Sequence, residues 1–476
     1  DQPASLVFVK ALDEGNPDSL VAFRDEVFQL EAPFDEMPKS MLKTQNRFSS
    51  IIWGNKNLAI AYDYWWNTRN KKTYLFNPAL PEGGVDLLFD QNYQDAYNDP
   101  GSFITRKNKL GRKVLALKGS RAYLKGDGFS DEGQFPFLDE INLKSKIKNR
   151  LYQSDYKNKL ERFIDYDIDE NQLLVRIESP NDYPNYFIRD FDQGDLKQMT
   201  QFENPFISIK DIHKEVISYK RADGLELSAT LYLPVGYDKE KKEKLPMILW
   251  AYPREFKDPS SAAQKTSNPN TFTYPNYGSP IYWVTKGYVI LDRASFPILG
   301  VGDTEPNDTF IKQLVGNAKA AIDAADSLGY IDRNRVAVGG HSYGAFMVAH
   351  LLSNSDLFAA GIARSGAYNR TLTPFGFQSE QRSYWEAPEI YYNMSPFMHA
   401  DKMKTPLLLT HGEADNNSGT YPMQSIRYFN ALKGLGAEVR LVLLPKESHG
   451  YRAKENILHL LWEQDQWLEK YVKNKD

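Results

Sequence analysis

The pattern of this chain predicts an α/β protein in two parts: an all-β first part of short strands, then a mostly parallel sheet covered by helices. Three observations predict it. Up to about Phe206, short alternating segments recur with turn signals between them and no long helical pattern. From about Ile207, nearly continuous apolar runs alternate with helical stripes, the grammar of a parallel sheet buried on both faces. In that second part, Gly339-Gly340-His341-Ser342-Tyr343-Gly344 joins an apolar run to an apolar helix and sets a serine at the bend. The parts are assigned to residues 1–205 and 206–476.

In the first part, Asn57–Tyr64 and Lys72–Phe76 form one hairpin across the polar Asn67–Asn70 turn. Lys113–Leu117 is paired with Arg121–Leu124, and Leu173–Ile177 with Tyr186–Asp190. These strand clusters recur every 50 to 60 residues or so, close to the period of propeller blades. In the second part, Glu215–Tyr219 and Glu226–Tyr232 form a hairpin around Ala222-Asp223-Gly224. Apolar strands follow at Met247–Trp250, Tyr288–Leu291, Val336–Val338, Ala360–Ala363, Leu407–Leu409 and Val439–Leu443. Between the second and third of these, Phe310, Leu314, Ala318, Ala321, Ile322 and Ala325 make one helical stripe, with Asn307-Asp308 expected as its cap. Glu455–Val472 is a closing amphipathic helix.

Composition narrows the function. The 476 residues carry a net charge of only −4 with both signs mixed, which gives no support to nucleic-acid or membrane-surface binding. Apolar residues are 41% of the chain, enough for sizeable cores, yet no apolar run reaches the roughly 18 residues of a membrane span. The expectation is a soluble protein, bacterial periplasmic, secreted or cytoplasmic. With no cysteine there is no disulfide, thiolate metal site or cysteine nucleophile. No H-E-x-x-H, Walker A or G-x-G-x-x-G pattern occurs, so no metal or cofactor is expected.

The serine motif carries the chemistry. A strand–bend–helix G-x-S-x-G forces the serine into a strained conformation, and small neighbours let strand and helix pass close together. The helix N-terminus behind Ser342 puts partial positive charge where an oxyanion would form. A serine hydroxyl is a weak nucleophile and needs a base oriented by a third group. In α/β-hydrolases the order is serine, acid, histidine, each just past a strand's carboxyl end. The run Leu407–Thr410 leads into His411-Gly412-Glu413-Ala414-Asp415, and Val439–Leu444 leads into Pro445-Lys446-Glu447-Ser448-His449. Of seven histidines, His449 alone has the order and place of the base. His411 precedes the acid and is assigned local hydrogen bonding. Asp415 and Glu413 both stand as the acid. One oxyanion donor is the Tyr343 N–H. The second belongs to the loop after Trp250, which lacks a His-Gly-Gly-Gly motif but offers the Tyr252 hydroxyl.

Together these features resemble the prolyl oligopeptidase family of serine peptidases, and within it the glutamyl endopeptidase branch of chloroplasts and bacteria. The resemblance rests on Gly339–Met347, Gly361–Gln378, His411–Thr420, Glu447–Tyr451 and Trp250–Phe256, and extends to Arg47–Trp53 and Ser102. It implies endopeptidase action on peptides or unfolded proteins after glutamate or aspartate. Ser342 would be acylated, His449 would be base and acid, Asp415 its orienting partner, and Tyr252 an oxyanion donor. The pocket for the substrate's acidic side chain would lie around Arg364–Arg370. Arg370 is the first candidate for its cation, then Arg364, Arg382 and Arg254. The family's propeller usually has seven blades, whereas residues 1–205 can supply three or four, so N-terminal blades are expected to be missing. Competing readings are an exopeptidase, an acyl-peptide hydrolase or esterase of the same superfamily, and, from another class, a propeller binding module with a relic hydrolase fold.

Overall fold

A computed structural model describes residues 5–474 and divides into two compact units, Asp1–Glu203 and Asn204–Asp476. The first unit is a succession of antiparallel meanders. A three-stranded sheet (Ser5–Ala11, Asp25–Glu31, Lys39–Thr44) comes first. Three four-stranded sheets follow, beginning at Arg47, Ser102 and Leu160. The central strands of the first two of these meet a neighbouring sheet on both faces, and the third meets one on a single face. Val27 and Leu42 pack on Ala59 and Ala61, Ile60 on Leu115 and Leu124, and Tyr123 and Leu138 on Leu173 and Val175. Four-stranded meanders stacked through their faces are the build of propeller blades.

Two of the expected hairpins form, Leu58–Trp65 with Asn70–Phe76 and Gln172–Glu178 with Asn185–Asp190. The third does not. Lys113–Leu115 pairs back with Thr105–Lys107, and Arg121–Gly126 pairs with Phe137–Asn142. Only a single bridge, Lys118 to Arg121, closes the turn between them. A tight turn at Gly119 marks the reversal in the chain, but it does not decide which strand each arm joins.

The second unit is built on one eight-stranded sheet. Its strands are β1 (His213–Lys220), β2 (Glu226–Leu233), β3 (Leu245–Ala251), β4 (Val289–Ala294), β5 (Ile331–His341), β6 (Ala360–Arg364), β7 (Leu407–Gly412) and β8 (Val439–Leu444). Their order across the sheet is β1-β2-β4-β3-β5-β6-β7-β8. Pairing is antiparallel from β1 through β4 and parallel from there on. The parallel strands therefore all end at one edge, the place where ligands bind open α/β sheets.

Helices cover both faces. Helix α1 (Phe310–Ser327) and helix α2 (Tyr343–Asn354) lie on one side with helix α3 (Met423–Gly434), and helix α4 (Lys454–Leu468) lies on the other. All six residues of the predicted stripe on α1 are buried in the first core. Its N-terminus is capped differently from expectation. A short 3₁₀ turn, Pro306–Thr309, precedes the helix, and Glu305 and Asp308 form a reciprocal capping box there. Asp308 thus acts with Glu305, because an acidic side chain three residues on can reach back to the free N–H at the start of the turn.

Strand β7 is fully buried, and Leu409 faces the core that supports α2. Leu409→Ala is expected to lower unfolding stability of this unit by about 2–5 kcal/mol, the cost of lost burial and a residual cavity. Denaturant unfolding of wild type and variant measures the difference.

Candidate active site

The bend between β5 and α2 is set by steric necessity. Ser342 has φ 60° and ψ −117°, a left-handed conformation that a serine adopts only when its surroundings enforce it. A Cβ on Gly340 would lie 2.4 Å from the Gly344 carbonyl carbon, and one on Gly344 would lie 2.9 Å from the Ala251 oxygen. A Cβ on Gly339 would strike the Trp250 ring at 2.2 Å. The Ser342 N–H donates to the Arg364 carbonyl at 2.8 Å, which ties the bend to β6. Helix α2 behind it is buried from Tyr343 to Ser353.

Two loops at the same sheet edge bring the acid and the imidazole together. The loop after β7 is joined to the loop after β8 by backbone bonds, Glu413 N–H to the Leu444 oxygen at 3.0 Å and Ala414 N–H to the Glu447 oxygen at 2.8 Å. Gly412 permits this approach, since a Cβ there would sit 2.3 Å from the Ser448 oxygen. Across the joint, His449 Nδ1 lies 2.8 Å from Asp415 Oδ2. Asp415 Oδ1 accepts the Asn417 N–H at 2.9 Å. Burial opposes ionisation of Asp415, but hydrogen bonds from His411, His449 and the Asn417 N–H outweigh it and hold the carboxyl at about 2. Glu413, the rival acid, is exposed. His341 packs against His449 with ring centroids 4.8 Å apart and the planes inclined at 56°, so the imidazole lies beside the residue that precedes Ser342. Burial, reinforced by the nearness of His449, pushes His341 down to about 3, which leaves it neutral.

Tyr252 follows β3, half-exposed beside the bend, with its ring edge-on to Tyr343 at 5.9 Å. Burial and the charge of Glu255 push its phenol up, while a hydrogen bond with the Ser342 side chain and the charges of Arg370 and Arg254 pull it down. The Tyr343 phenol is itself buried and donates to Glu255 Oε1 at 2.5 Å.

A cavity of about 170 Å³ opens beside Ser342. Its lining includes Tyr343, Ala367, Arg370, Phe377 and Thr420. Of the four arginines considered, Arg370 alone lines it. Arg370 opens a short 3₁₀ turn after β6, and its backbone N–H donates to Ser395 Oγ at 2.8 Å. Its guanidinium lies over the rings of Phe346 at 4.1 Å and Phe377 at 4.7 Å. Among the described residues no carboxylate stands within ion-pair distance of it, and its Nε has no hydrogen-bond partner. Burial pulls it down to about 10, which still leaves it cationic at neutral pH.

The other three are placed differently. Arg364 is buried over the Trp250 ring and donates to the Tyr277 carbonyl and to Gln464 Oε1, away from the cavity. Arg382 is held by Glu380 at 2.7 Å and Asp308 at 2.9 Å. Arg254 is exposed on a short strand that pairs with Pro297–Leu299. Family resemblance placed the pocket around Arg364–Arg370 and ranked the four, but a sequence does not report which way a side chain leaves the backbone.

Known proteins resemble this chain. A model of the prolyl oligopeptidase family matches residues 312–475, and one of the X-Pro dipeptidyl-peptidase S15 family matches residues 223–373. A probable chloroplastic glutamyl endopeptidase of Arabidopsis thaliana is 42% identical over 99% of this chain and 51% of its own length. Its counterpart in Oryza sativa subsp. japonica is 42% identical over 99% of this chain and 52% of its own. The chain belongs to the prolyl oligopeptidase family. It spans about half the length of the curated relatives it matches. An acylaminoacyl peptidase of Pyrococcus horikoshii superposes with a TM-score of 0.65 at 19% identity, covering 100% of this chain and 70% of that one, and so shares the fold.

Two residues of this family member's site were not singled out for it by sequence reasoning. Thr420 Oγ1 lies 3.3 Å from His449 Nδ1 and 3.4 Å from Asp415 Oδ2, at the cavity wall. Glu255 anchors Tyr343 from a neighbouring loop. Neither has a sequence signal beyond lying in a motif-bearing segment. No described helix is long and apolar enough to cross a membrane.

Gly340→Ala places a methyl group against backbone that cannot yield. The variant is expected to lose about 1–3 kcal/mol of stability. It should also fail to label at Ser342 with a fluorophosphonate, as read by intact mass.

Proposed function

We propose that this chain carries the catalytic unit of a serine endopeptidase that cleaves peptides after glutamate. The observation that carries this reading is Arg370, a buried guanidinium with no carboxylate within ion-pair distance among the described residues, in the cavity that Ser342 lines. Removing a guanidinium from water costs several kcal/mol unless it is paired. The aromatic faces return up to about 2 kcal/mol each where desolvated. A substrate carboxylate in that cavity would supply the missing partner, and a planar guanidinium suits it bidentately. Relatives at 42% identity that carry a glutamyl endopeptidase name support the same reading.

In the proposed reaction, Ser342 Oγ attacks the main-chain carbonyl carbon of the acidic residue itself, and its proton passes to His449 Nε2. Asp415 accepts from the opposite nitrogen and stabilises the imidazolium. The Tyr343 N–H and the Tyr252 hydroxyl receive the oxyanion. His449 returns the proton to the leaving amine, and water repeats the sequence on the ester. Each donor acts where charge develops, which is why its loss falls on kcat.

A panel of chromogenic peptides with Glu, Asp, Pro, Lys or Ala before the cleaved bond tests the specificity. Turnover of Glu peptides well above the rest is expected, and turnover confined to non-acidic peptides would overturn it. Arg370→Met should lower kcat/KM on Glu peptides about 10²–10³-fold, because it strands the substrate's charge. The same variant should leave Ala peptides within a few-fold. Tyr252→Phe should lower kcat about 10²-fold with KM little changed, the signature of a lost oxyanion donor.

A further inference from the structure

His411 is a buried imidazole for which the proposed reaction has no use, and it touches the same carboxylate oxygen as His449. His411 Nε2 lies 3.0 Å from Asp415 Oδ2, and His411 Nδ1 lies 2.7 Å from Ser425 Oγ. The side chains of His411 and Asp415 are both fully buried, and Ser425 is 0% exposed on α3. An ionised carboxylate only accepts, so Nε2 of His411 carries the hydrogen. In the neutral ring Nδ1 is then bare, and the Ser425 hydroxyl donates to it. The donors run one way, from a helix through a ring to the acid.

We infer that Ser425 and His411 form a positioning relay that fixes the rotation of Asp415 and shares its Oδ2 between two imidazoles. This rests on the proposed serine-hydrolase reading. Neither residue touches substrate; both act through Asp415. Ser425 selects the His411 tautomer that can donate, and its rigid helix holds the ring in place. Asp415 is thereby saturated, with Oδ2 facing His449 Nδ1 and Oδ1 on the Asn417 N–H. The relay also spreads the carboxylate's charge, so His449 meets a weaker anion than it would without His411.

Other charged and titratable groups near this pair are committed elsewhere. His341 from β5 packs at an incline against His449, and Arg364 from β6 bonds to Tyr277 and Gln464. In the loop after β8, Glu447 accepts from the Arg452 and Ala453 N–H groups, and the Tyr451 hydroxyl is 2.8 Å from Ser365 Oγ.

The test compares His411→Leu, His411→Gln, Ser425→Ala and Ser425→Thr in the full chain, by kcat, KM and the pH profile of kcat/KM. His411→Leu should lower kcat by about 10–100-fold at nearly constant KM, short of the roughly 10⁴-fold loss that a wrong tautomer of the catalytic imidazole brings. Its acid limb should move to higher pH, because a sharper negative charge on Oδ2 stabilises the imidazolium. His411→Gln keeps an N–H near the Nε2 position and should recover most of the rate. Ser425→Ala should give an intermediate loss that Ser425→Thr reverses. Equal losses in the Leu and Gln variants with an unmoved acid limb would reduce His411 to packing and overturn the relay, as would an unchanged kcat in His411→Leu. Nitrogen NMR of the imidazoles decides the matter independently of turnover. The relay requires His411 as the Nε2–H tautomer, with its Nδ1 accepting from Ser425. A wild-type chain that turns over no peptide, yet shows His411 as that tautomer, would sink the peptidase reading and leave the relay standing.

Discussion

Everything at this site depends on how closely β5 and α2 pass at the bend. Gly339, Gly340 and Gly344 meet Trp250, Gly344 and Ala251 at distances where no side-chain carbon fits. That contact drives Ser342 into the left-handed region and sets the N-terminus of α2 directly behind it. A buried helix cannot slide, so the strain has nowhere to relax. The Tyr343 N–H, the Tyr252 ring and the cavity all take their positions from this bend.

A second joint supplies the imidazole. Loops from neighbouring parallel strands end at the same edge, and their backbones bond to each other through Glu413 and Ala414. The Asp415–His449 distance is therefore set by main chain rather than by two free side chains. Preorganisation of this kind removes reorganisation from the reaction itself.

The two buried charges of the site are treated in opposite ways. Asp415 receives hydrogen bonds on both oxygens and stays ionised despite its burial. Arg370 is given aromatic faces and, among the described residues, no carboxylate within ion-pair distance, the charge of Glu255 acting on it from farther off. A saturated anion is suited to orient a neighbour. A cation left without its counter-charge is suited to select a ligand that brings one.

The amino-acid sequence by itself determined the two-part architecture, the strand run of the parallel sheet, the stripe on α1 and the bend at Ser342. Each of these is written in local periodicity or in glycine spacing, which act within a few residues. What sequence could not decide is whatever depends on partners far along the chain. It mispaired Lys113–Leu117, because a turn fixes a reversal but not a strand's neighbour. It set Asp415 ahead of Glu413 only through family resemblance, because two residues' separation on a loop does not say which side chain turns inward. It ranked four arginines, yet only packing shows that Arg382 is neutralised by Glu380 and Asp308, that Arg364 is spent on Gln464 and Tyr277, and that Arg370 stands unpaired beside the serine. Charge state, burial and direction are properties of the assembled surroundings, and those exist only once distant segments have met.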